Sequence, residues 1–162
     1  MTTGIRLTLR GPNPNMPVSA ITARGPAGPR ATPGARMAVR GIGIDIVKVD
    51  RIRESLERFG HRMESRLFTA AELDYCRGHK DPLPHLAARF AAKEAASKAI
   101  GTGMSGGVGF RQFEVIQPGG RQPKLEFHDN ARQHFEQLGC RSSHLSLTHD
   151  AGLAIACVVI ED

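Results

Sequence analysis

Tryptophan is absent from the 162 residues of the sequence, which contains only one tyrosine and three cysteines. The cysteines, at positions 76, 140 and 157, are odd in number and far apart, which indicates neither a disulfide framework nor a cysteine zinc site. A reducing, cytoplasmic compartment is the simplest interpretation. No apolar run approaches the roughly 18 residues that a membrane span needs. The 40% share of hydrophobic residues can supply a core, which argues against a wholly disordered chain.

Acidic residues and lysine are missing from residues 1–36, which contain five arginines and six of the ten prolines. Most of the formal net charge of +6 therefore lies there, since residues 37–162 have 17 basic and 16 acidic residues. The apolar patches of this segment are too short for a secretory signal and predict no packed core. We interpret residues 1–36 as a disordered leader, superficially similar to a transit peptide, or as the product of a start codon assigned upstream of Met37. Residues 37–162 are the predicted single domain.

An alternating pattern begins soon after Met37, where residues 39–49 read VRGIGIDIVKV. The alternation predicts a strand with two different faces, Ile42, Ile44 and Ile46 on one and Gly43, Asp45 and Val47 on the other. Burying an ionised carboxylate such as that of Asp45 is costly unless it is paired or bound to a cation. Asp45 is therefore either a cation ligand or a strand-end residue hydrogen-bonded to the next turn or helix.

A helix is predicted after Asp50, which we expect to be its N-cap. The apolar residues Ile52, Leu56, Phe59 and Met63 recur at helical spacing. Arg51 and Arg58 are two turns apart and share one face. That face is either simply solvated or a docking surface for an acidic partner. A second helix start is indicated by Thr69 and Glu72, which have the spacing of a capping box.

The stretch HLAARFAAKEAASKAIGTG at 85–103 predicts a helix of about four turns from Leu86 to Ile100. Four side chains share one face, namely Phe90, Glu94, Ser97 and Lys98, and two cations, Arg89 and Lys93, lie beside them. Gly101 is a C-cap, and the glycines that follow it would allow the backbone to approach a phosphate closely. The last third of the chain is mixed, with strands predicted at 110–117, 123–128, 143–150 and 152–161 and a helix at 130–138. His149 closes one of these strands, where a lone histidine is more often structural than catalytic.

Four motifs occur in order along residues 37–162, namely G-I-G-I-D-I-V at 41–47, F-T-x-x-E-L at 68–73, R-F-A-A-K-E-A-x-S-K-A-x-G-T-G at 89–103 and H-x-S-L-T-H-D at 144–150. Their order and spacing resemble those of the bacterial holo-acyl-carrier-protein synthases, the short class of 4′-phosphopantetheinyl transferases. The resemblance covers essentially all of residues 37–162 and none of residues 1–36.

The resemblance implies an activity and its site. Such enzymes move phosphopantetheine from coenzyme A to a serine of an apo-acyl carrier protein in fatty acid biosynthesis, with Mg²⁺, and release adenosine 3′,5′-bisphosphate. Asp45 and Glu94 match the two metal-ligand positions, and Lys98 matches the lysine that neutralises the pyrophosphate. The remaining expected coenzyme A contacts are Ser97, Gly101 and Thr102, which would line the site, and Arg89, Lys93 and His149. Either a metal-bound water or one of the carboxylates would act as general base.

The same resemblance implies a compact α+β domain, with an antiparallel sheet packed against a long central helix, that forms homotrimers with active sites between subunits. Arg51 and Arg58 match the family's docking helix for the acidic carrier, with Phe90 as an apolar contact. Lys48 and Ala96 depart from the family's pattern, which leaves the detail of carrier docking and of helix packing open.

Two other classes of protein fit some of these features. A small basic nucleic-acid-binding protein or a metal-dependent nuclease would also use Asp, Glu and Lys. The near-neutral charge of residues 37–162 argues against it, and Phe110, Phe113 and Phe127 lie in predicted strands without a matching basic motif. A non-catalytic carrier-binding homologue would lack the ligand pair, whereas both Asp45 and Glu94 are present.

Overall fold

A computed structural model describes residues 37–117, 119 and 122–162. Strands and helices alternate irregularly along this part of the chain. The elements are β1 (Val39–Lys48), α1 (Val49–Phe59), α2 (His61–Leu67), α3 (Ala70–Arg77), α4 (Leu83–Ala99), β2 (Phe113–Ile116), β3 (Lys124–Phe127), α5 (Asp129–Gln137), β4 (Ser142–Asp150) and β5 (Leu153–Glu161). A short 3-10 turn, Phe110–Gln112, precedes β2. The interpretation of residues 1–36 as a leader lies outside the described residues and stays a prediction.

The strands form two antiparallel sheets rather than the one expected. The larger has the order β1-β5-β4, and β2 and β3 pair separately. Helix α4 packs on the larger sheet against β1 and β5. The predicted α+β class is confirmed. None of the helices in the described residues combines the length and the apolar character that crossing a membrane would require.

Glycines in β1 allow α4 to lie directly on the sheet. A Cβ added at Gly43 would come within 1.8 Å of the Ala95 carbonyl oxygen, and one at Gly41 within 2.0 Å of the Ala99 carbonyl oxygen. The facing residues of α4 are alanines, and Ala95 is fully buried. Strand and helix therefore meet backbone to backbone, which brings the side chains at their margins close together.

The opposite face of the larger sheet is apolar and, within the described residues, largely exposed. Ile42, Ile44 and Ile46 are 63%, 61% and 57% exposed. Their cross-strand partners on β5 are the partly buried Val159, Cys157 and Ile155. We call these six residues the isoleucine face. Cys157 thus lies on this face rather than in the core.

The helix predicted after Asp50 differs from the structure in three ways. Gly60, with φ of +52°, interrupts it, so that α1 and α2 replace one helix running to Met63. The N-cap is Lys48, while Asp50 lies in the first turn and pairs with Arg53 at 3.0 Å. Phe59, expected in the apolar stripe, is exposed because the chain turns at the next residue.

Other local predictions agree more closely with the structure. The capping box of Thr69 and Glu72 is confirmed, with both reciprocal hydrogen bonds present. Helix α4 begins three residues earlier than expected, because Pro84 fits into its first turn. The strand expected from Phe110 begins only at Phe113, after the 3-10 turn.

A buried ion pair joins α3 and α4 to β2. The Lys93 ammonium lies 2.7 Å from Glu72, and both side chains are fully buried. Lys93 also donates to the carbonyl oxygens of Phe110 and Phe113, at 3.1 Å and 2.6 Å. Glu72 accepts hydrogen bonds from the backbone N–H groups of Thr69 and Val115. Burial lowers the pKa of Lys93, and the charge of Glu72 opposes that change.

We predict that Gly43→Ala destabilises the protein by about 3 kcal/mol or more, because the new methyl group has no space between β1 and α4. Gly109→Ala is the matched control, since Gly109 has an ordinary φ and nothing within 4 Å of an added Cβ. Urea denaturation measures both. Equal stabilities of the two variants would contradict the close contact of β1 with α4.

Candidate active site

Asp45 lies on the face of β1 that α4 covers, where its side chain is only 16% exposed. The Lys98 ammonium donates to Asp45 Oδ1 at 2.8 Å and to the Ile44 carbonyl oxygen at 3.0 Å. The Lys98 side chain is half exposed. The buried carboxylate is therefore paired, and the cation that pairs with it faces solvent.

Glu94 is one turn before Lys98 on α4 and is partly buried. Burial raises the pKa of Glu94 above the usual range of a glutamate, and the negative charge of Asp45 raises it further. The positive charges of Lys98 and Arg51 act in the opposite direction. Two carboxylates, one from the strand and one from the helix, thus come together beside a lysine. Such a group can hold a hard divalent cation and face a phosphate.

The end of α4 supplies the predicted backbone site beside Lys98. Ile100 is the C-cap, and Gly101 follows in the left-handed conformation with φ of +78°. No atom lies within 4 Å of a Cβ added at Gly101, so its surface is open. Thr102 is half-buried, and its hydroxyl donates to the Gly103 carbonyl oxygen at 2.9 Å.

Lys93, which the resemblance assigns as a coenzyme A contact, does not face an open surface within the described residues. Its side chain is fully buried, and its three ammonium protons are used by Glu72 and by two backbone carbonyl oxygens. Lys93 lies on the covered side of α4, which spacing alone does not distinguish from the open side, and its assignment as a coenzyme A contact stays a prediction.

Ser97 is also buried rather than open to a cofactor. Its hydroxyl donates to the Glu94 carbonyl oxygen, one turn earlier, at 2.9 Å. The exposed edge of α4 is narrower than predicted and carries Phe90, Glu94 and Lys98 at intervals of four residues. Ser97 therefore does not line an open site in the single chain.

Arg89 and His149 lie apart from this group. Arg89 is nine residues before Lys98, which is about 14 Å of helix rise. Its guanidinium lies over the Tyr75 ring at 4.1 Å from the centroid, and its buried Nε has no partner in the described part of the chain. His149 lies at the end of β4, 5.5 Å from the His85 ring. Within one chain, the expected coenzyme A contacts thus form two separate groups.

Two histidines that the sequence analysis did not single out extend the second group. The rings of His79 and His85 are tilted by 35° with centroids 3.8 Å apart, and His85 contacts His149 edge to face. Burial lowers the pKa of His85, and the neighbouring His79 and His149 lower it further. Sequence spacing offers no signal for this cluster, because its members come from three separate segments.

A further set of donor side chains lies on the hairpin of β2 and β3. Ligand atoms of Glu114, Glu126 and His128 are within 4.8 Å of one another. His128 Nε2 lies 3.0 Å from one oxygen of Glu114, and the Thr69 hydroxyl donates to the other at 2.7 Å. Both oxygens of Glu114 are therefore already engaged within the protein.

The residues expected to contact a carrier lie on exposed surfaces. Arg51 and Arg58 are exposed on α1, and neither forms an ion pair within the described residues. Arg58 instead lies over the ring of its neighbour Phe59, at 4.9 Å. Phe90 is half-buried and stacks on Phe110 with 5.2 Å between ring centroids. An open groove of about 490 Å³ between α1 and α2 is lined by Ser55, Phe59, Arg62, Met63, Arg66 and Leu67.

Comparison with known sequences points to one family. The sequence model of the 4′-phosphopantetheinyl transferase superfamily matches residues 41–158. A holo-[acyl-carrier-protein] synthase of Koribacter versatilis is 51% identical over 125 residues, which are 76% of this chain and 99% of that protein. The one of Yersinia enterocolitica is 41% identical over 125 residues, with 77% and 99% covered.

Solved structures give the same result. The chain resembles the holo-[acyl-carrier-protein] synthase of Neisseria meningitidis with a TM-score of 0.70 and 35% identity, over 77% of this chain and 100% of that one. It resembles the Helicobacter pylori enzyme, solved in complex with coenzyme A, with a TM-score of 0.65 and 31% identity, over 74% and 98%. The chain therefore belongs to the 4′-phosphopantetheinyl transferase superfamily, within its family of holo-[acyl-carrier-protein] synthases.

Proposed function

We propose that this enzyme transfers 4′-phosphopantetheine from coenzyme A to a serine of an apo-acyl carrier protein, in support of fatty acid biosynthesis, and releases adenosine 3′,5′-bisphosphate. The observation that carries the proposal is the meeting of Asp45, Glu94 and Lys98 at the margin between β1 and α4. A related enzyme that shares this fold binds coenzyme A.

Mg²⁺ fits the residues present. Mg²⁺ sites in proteins commonly use one or two carboxylates, with waters and substrate phosphates completing the coordination. Asp45 and Glu94 provide two such carboxylates, and the raised pKa of Glu94 reflects in part its repulsion by Asp45, which a cation would relieve. When bound, the ion would neutralise the pyrophosphate and favour attack on its phosphorus.

Lys98 provides a mobile positive charge for the same step. Its ammonium is anchored to Asp45 and to a backbone carbonyl oxygen, yet half of the side chain is exposed. It can therefore exchange these partners for a phosphate oxygen of the bound coenzyme A. There it would stabilise the charge that develops on the departing bisphosphate.

The enzyme is proposed to act as a homotrimer with shared active sites. The isoleucine face is an uncharged apolar surface that a second copy of the chain would cover, and closed rings of identical subunits are a common way to bury such a face. The two groups of expected coenzyme A contacts, around Lys98 and around Arg89, are far apart in one chain. Contributions from two neighbouring subunits to one site would account for that separation.

The proposed carrier surface combines charge with apolar contacts. Arg51 and Arg58 on α1 are exposed cations, and Arg62 and Arg66 continue the positive charge along α2. An acidic helical carrier would find complementary charge there, which increases the rate of association and selects the partner.

We predict that Asp45→Asn and Glu94→Gln each reduce transfer by more than about 100-fold, because the loss of a metal ligand costs more than the loss of a residue that supports one. Mass spectrometry of an apo-carrier incubated with enzyme, coenzyme A and Mg²⁺ measures the product. Glu136→Gln, at an exposed carboxylate of α5, is the control and should retain activity. Near-normal transfer by either site variant would contradict the metal assignment.

Reversal of charge at Arg58 should raise the KM for the carrier by about an order of magnitude, while the KM for coenzyme A changes little. Reversal at Arg51 should raise the same constant and also lower kcat, because the Arg51 charge acts on Glu94. The expected effect shrinks as salt is added, because exposed charges are screened. Steady-state kinetics with each substrate varied in turn measures both constants. Arg141→Glu is the matched control, because Arg141 is exposed, lies outside α1 and α2 and forms no ion pair within the described residues. A variant of α1 that behaves like it would contradict the docking role.

Substitution of Ile44 by glutamate should convert a trimer into a monomer, because it places a charge in the centre of the isoleucine face. Light scattering coupled to gel filtration gives the mass directly. Leu138→Glu, at another exposed apolar residue, should leave the mass unchanged. A monomeric wild-type protein would contradict the proposed assembly without affecting the proposed reaction.

A further inference from the structure

Phe90 and Phe110 form an aromatic pair at the surface. Phe90 is an expected apolar contact of the carrier, but no role has been assigned to Phe110. Their rings are 5.2 Å apart and inclined by 23°, and both are only partly buried. Other phenylalanines, such as Phe68 and Phe113, are almost completely buried in the core. A stacked pair that remains at the surface offers a flat apolar contact.

The aromatic pair lies beside the candidate active site. Phe90 is one turn before Glu94 on the exposed edge of α4. Phe110 belongs to the 3-10 turn, which packs against α2 and α4. Helix α2 carries exposed arginines, and Arg51 of α1 is close enough to Glu94 to influence its pKa. An apolar platform bordered by cations has the chemistry to receive an acidic protein with an exposed apolar side chain.

The buried ion pair of Lys93 and Glu72 holds this platform from below. Lys93 donates to the carbonyl oxygen of Phe110 itself and to that of Phe113, the first residue after the turn. Glu72 accepts from the Val115 N–H at 3.0 Å, two residues further on. Lys93, the residue before Glu94, thus attaches both ends of the turn to α4.

A stabilising role alone does not account for this arrangement. A fully buried ion pair often contributes no more stability than apolar side chains of the same volume, since two charges must be removed from water. The pair does, however, fix the position of one backbone segment relative to another through directed hydrogen bonds. Here it fixes Phe110 against Phe90, three residues before Lys93 on the same helix.

We propose that Phe110 is a specificity-determining residue that contacts the acyl carrier protein, and that Lys93 and Glu72 are positioning residues that hold it against Phe90. This inference rests on the proposed transfer to a carrier. It assigns to Lys93 a function different from the coenzyme A contact that its place in the sequence predicted.

Phe110→Leu tests the contact. We expect the KM for the carrier to rise about tenfold, as for truncation of an aromatic residue at the centre of an interface, with kcat and the KM for coenzyme A within about twofold of wild type. Phe135→Leu is a matched control, because Phe135 is also partly buried and stacks on another phenylalanine, Phe127, at 4.5 Å. Equal carrier constants for the Phe110 variant and wild type would overturn the inference.

The double variant Lys93→Met with Glu72→Gln tests the positioning role, since it removes both buried charges together. We expect a folded protein by circular dichroism, with a higher KM for the carrier and an unchanged KM for coenzyme A. Glu72→Gln alone leaves the buried Lys93 ammonium without its counter-charge and is the more disruptive variant, but the folded protein should change the same constant in the same direction. A purely structural effect would instead lower the amount of active enzyme and leave both KM values unchanged.

The outcomes separate the inference from the proposed function. If wild-type enzyme fails to modify any carrier, the proposed function is wrong. If it modifies the carrier and the Phe110 variant does so with unchanged constants, only the inference is wrong. If neither variant of the ion pair folds, or if both fold with unchanged carrier constants, the positioning role is wrong.

Discussion

The backbone contact between β1 and α4 is the constraint on which the rest of the structure depends. Gly41 and Gly43 carry no side chains, and the facing residues of α4 are alanines, so the helix settles directly on the strand. At that separation Asp45 from the strand and Lys98 from the helix meet at 2.8 Å. A methyl group at Gly43 would lift the helix and separate the two halves of the site together. The geometry of the site thus depends on Gly41 and Gly43, which have no side chains.

The two lysines of α4 illustrate how one helix supplies both structure and reactivity. Lys93 and Lys98 are five residues apart, yet one is fully buried and the other half exposed. Lys93 has all of its donors committed to fixed acceptors, which suits a residue that holds neighbouring segments in place. Lys98 is paired with the largely buried carboxylate of Asp45 but is itself half exposed, which suits a residue that must change partners during a reaction cycle.

Local patterns predicted local structure well and the environment of α4 poorly. The strand around Asp45, the capping box of Thr69 and the C-terminal hairpin follow from periodicity and turn residues that lie close together in the chain. The burial of Lys93 and Ser97 does not follow from the sequence, because an alanine-rich helix has similar residues on every side and does not reveal which side the sheet and β2 cover. The sequence does not predict the break between α1 and α2 at Gly60, because the helical spacing of apolar residues continues across it. The isoleucine face shows a second limit of sequence patterns. Alternation separates the two faces of a strand but does not reveal which face packs against a helix.

The order of strands in the larger sheet has a consequence for the making of the protein. Its middle strand is β5, the last to be synthesised, and both β1 and β4 pair with it. Val39 lies opposite Glu161, so β1 can pair with β5 only after almost the whole chain has been synthesised. Until β5 leaves the ribosome, α4 lacks one of the two strands that it contacts most extensively, and the isoleucines of β1 belong to no sheet. The growing chain therefore exposes apolar surface until its last strand is made, and loss of that strand would remove the centre of the sheet rather than an edge.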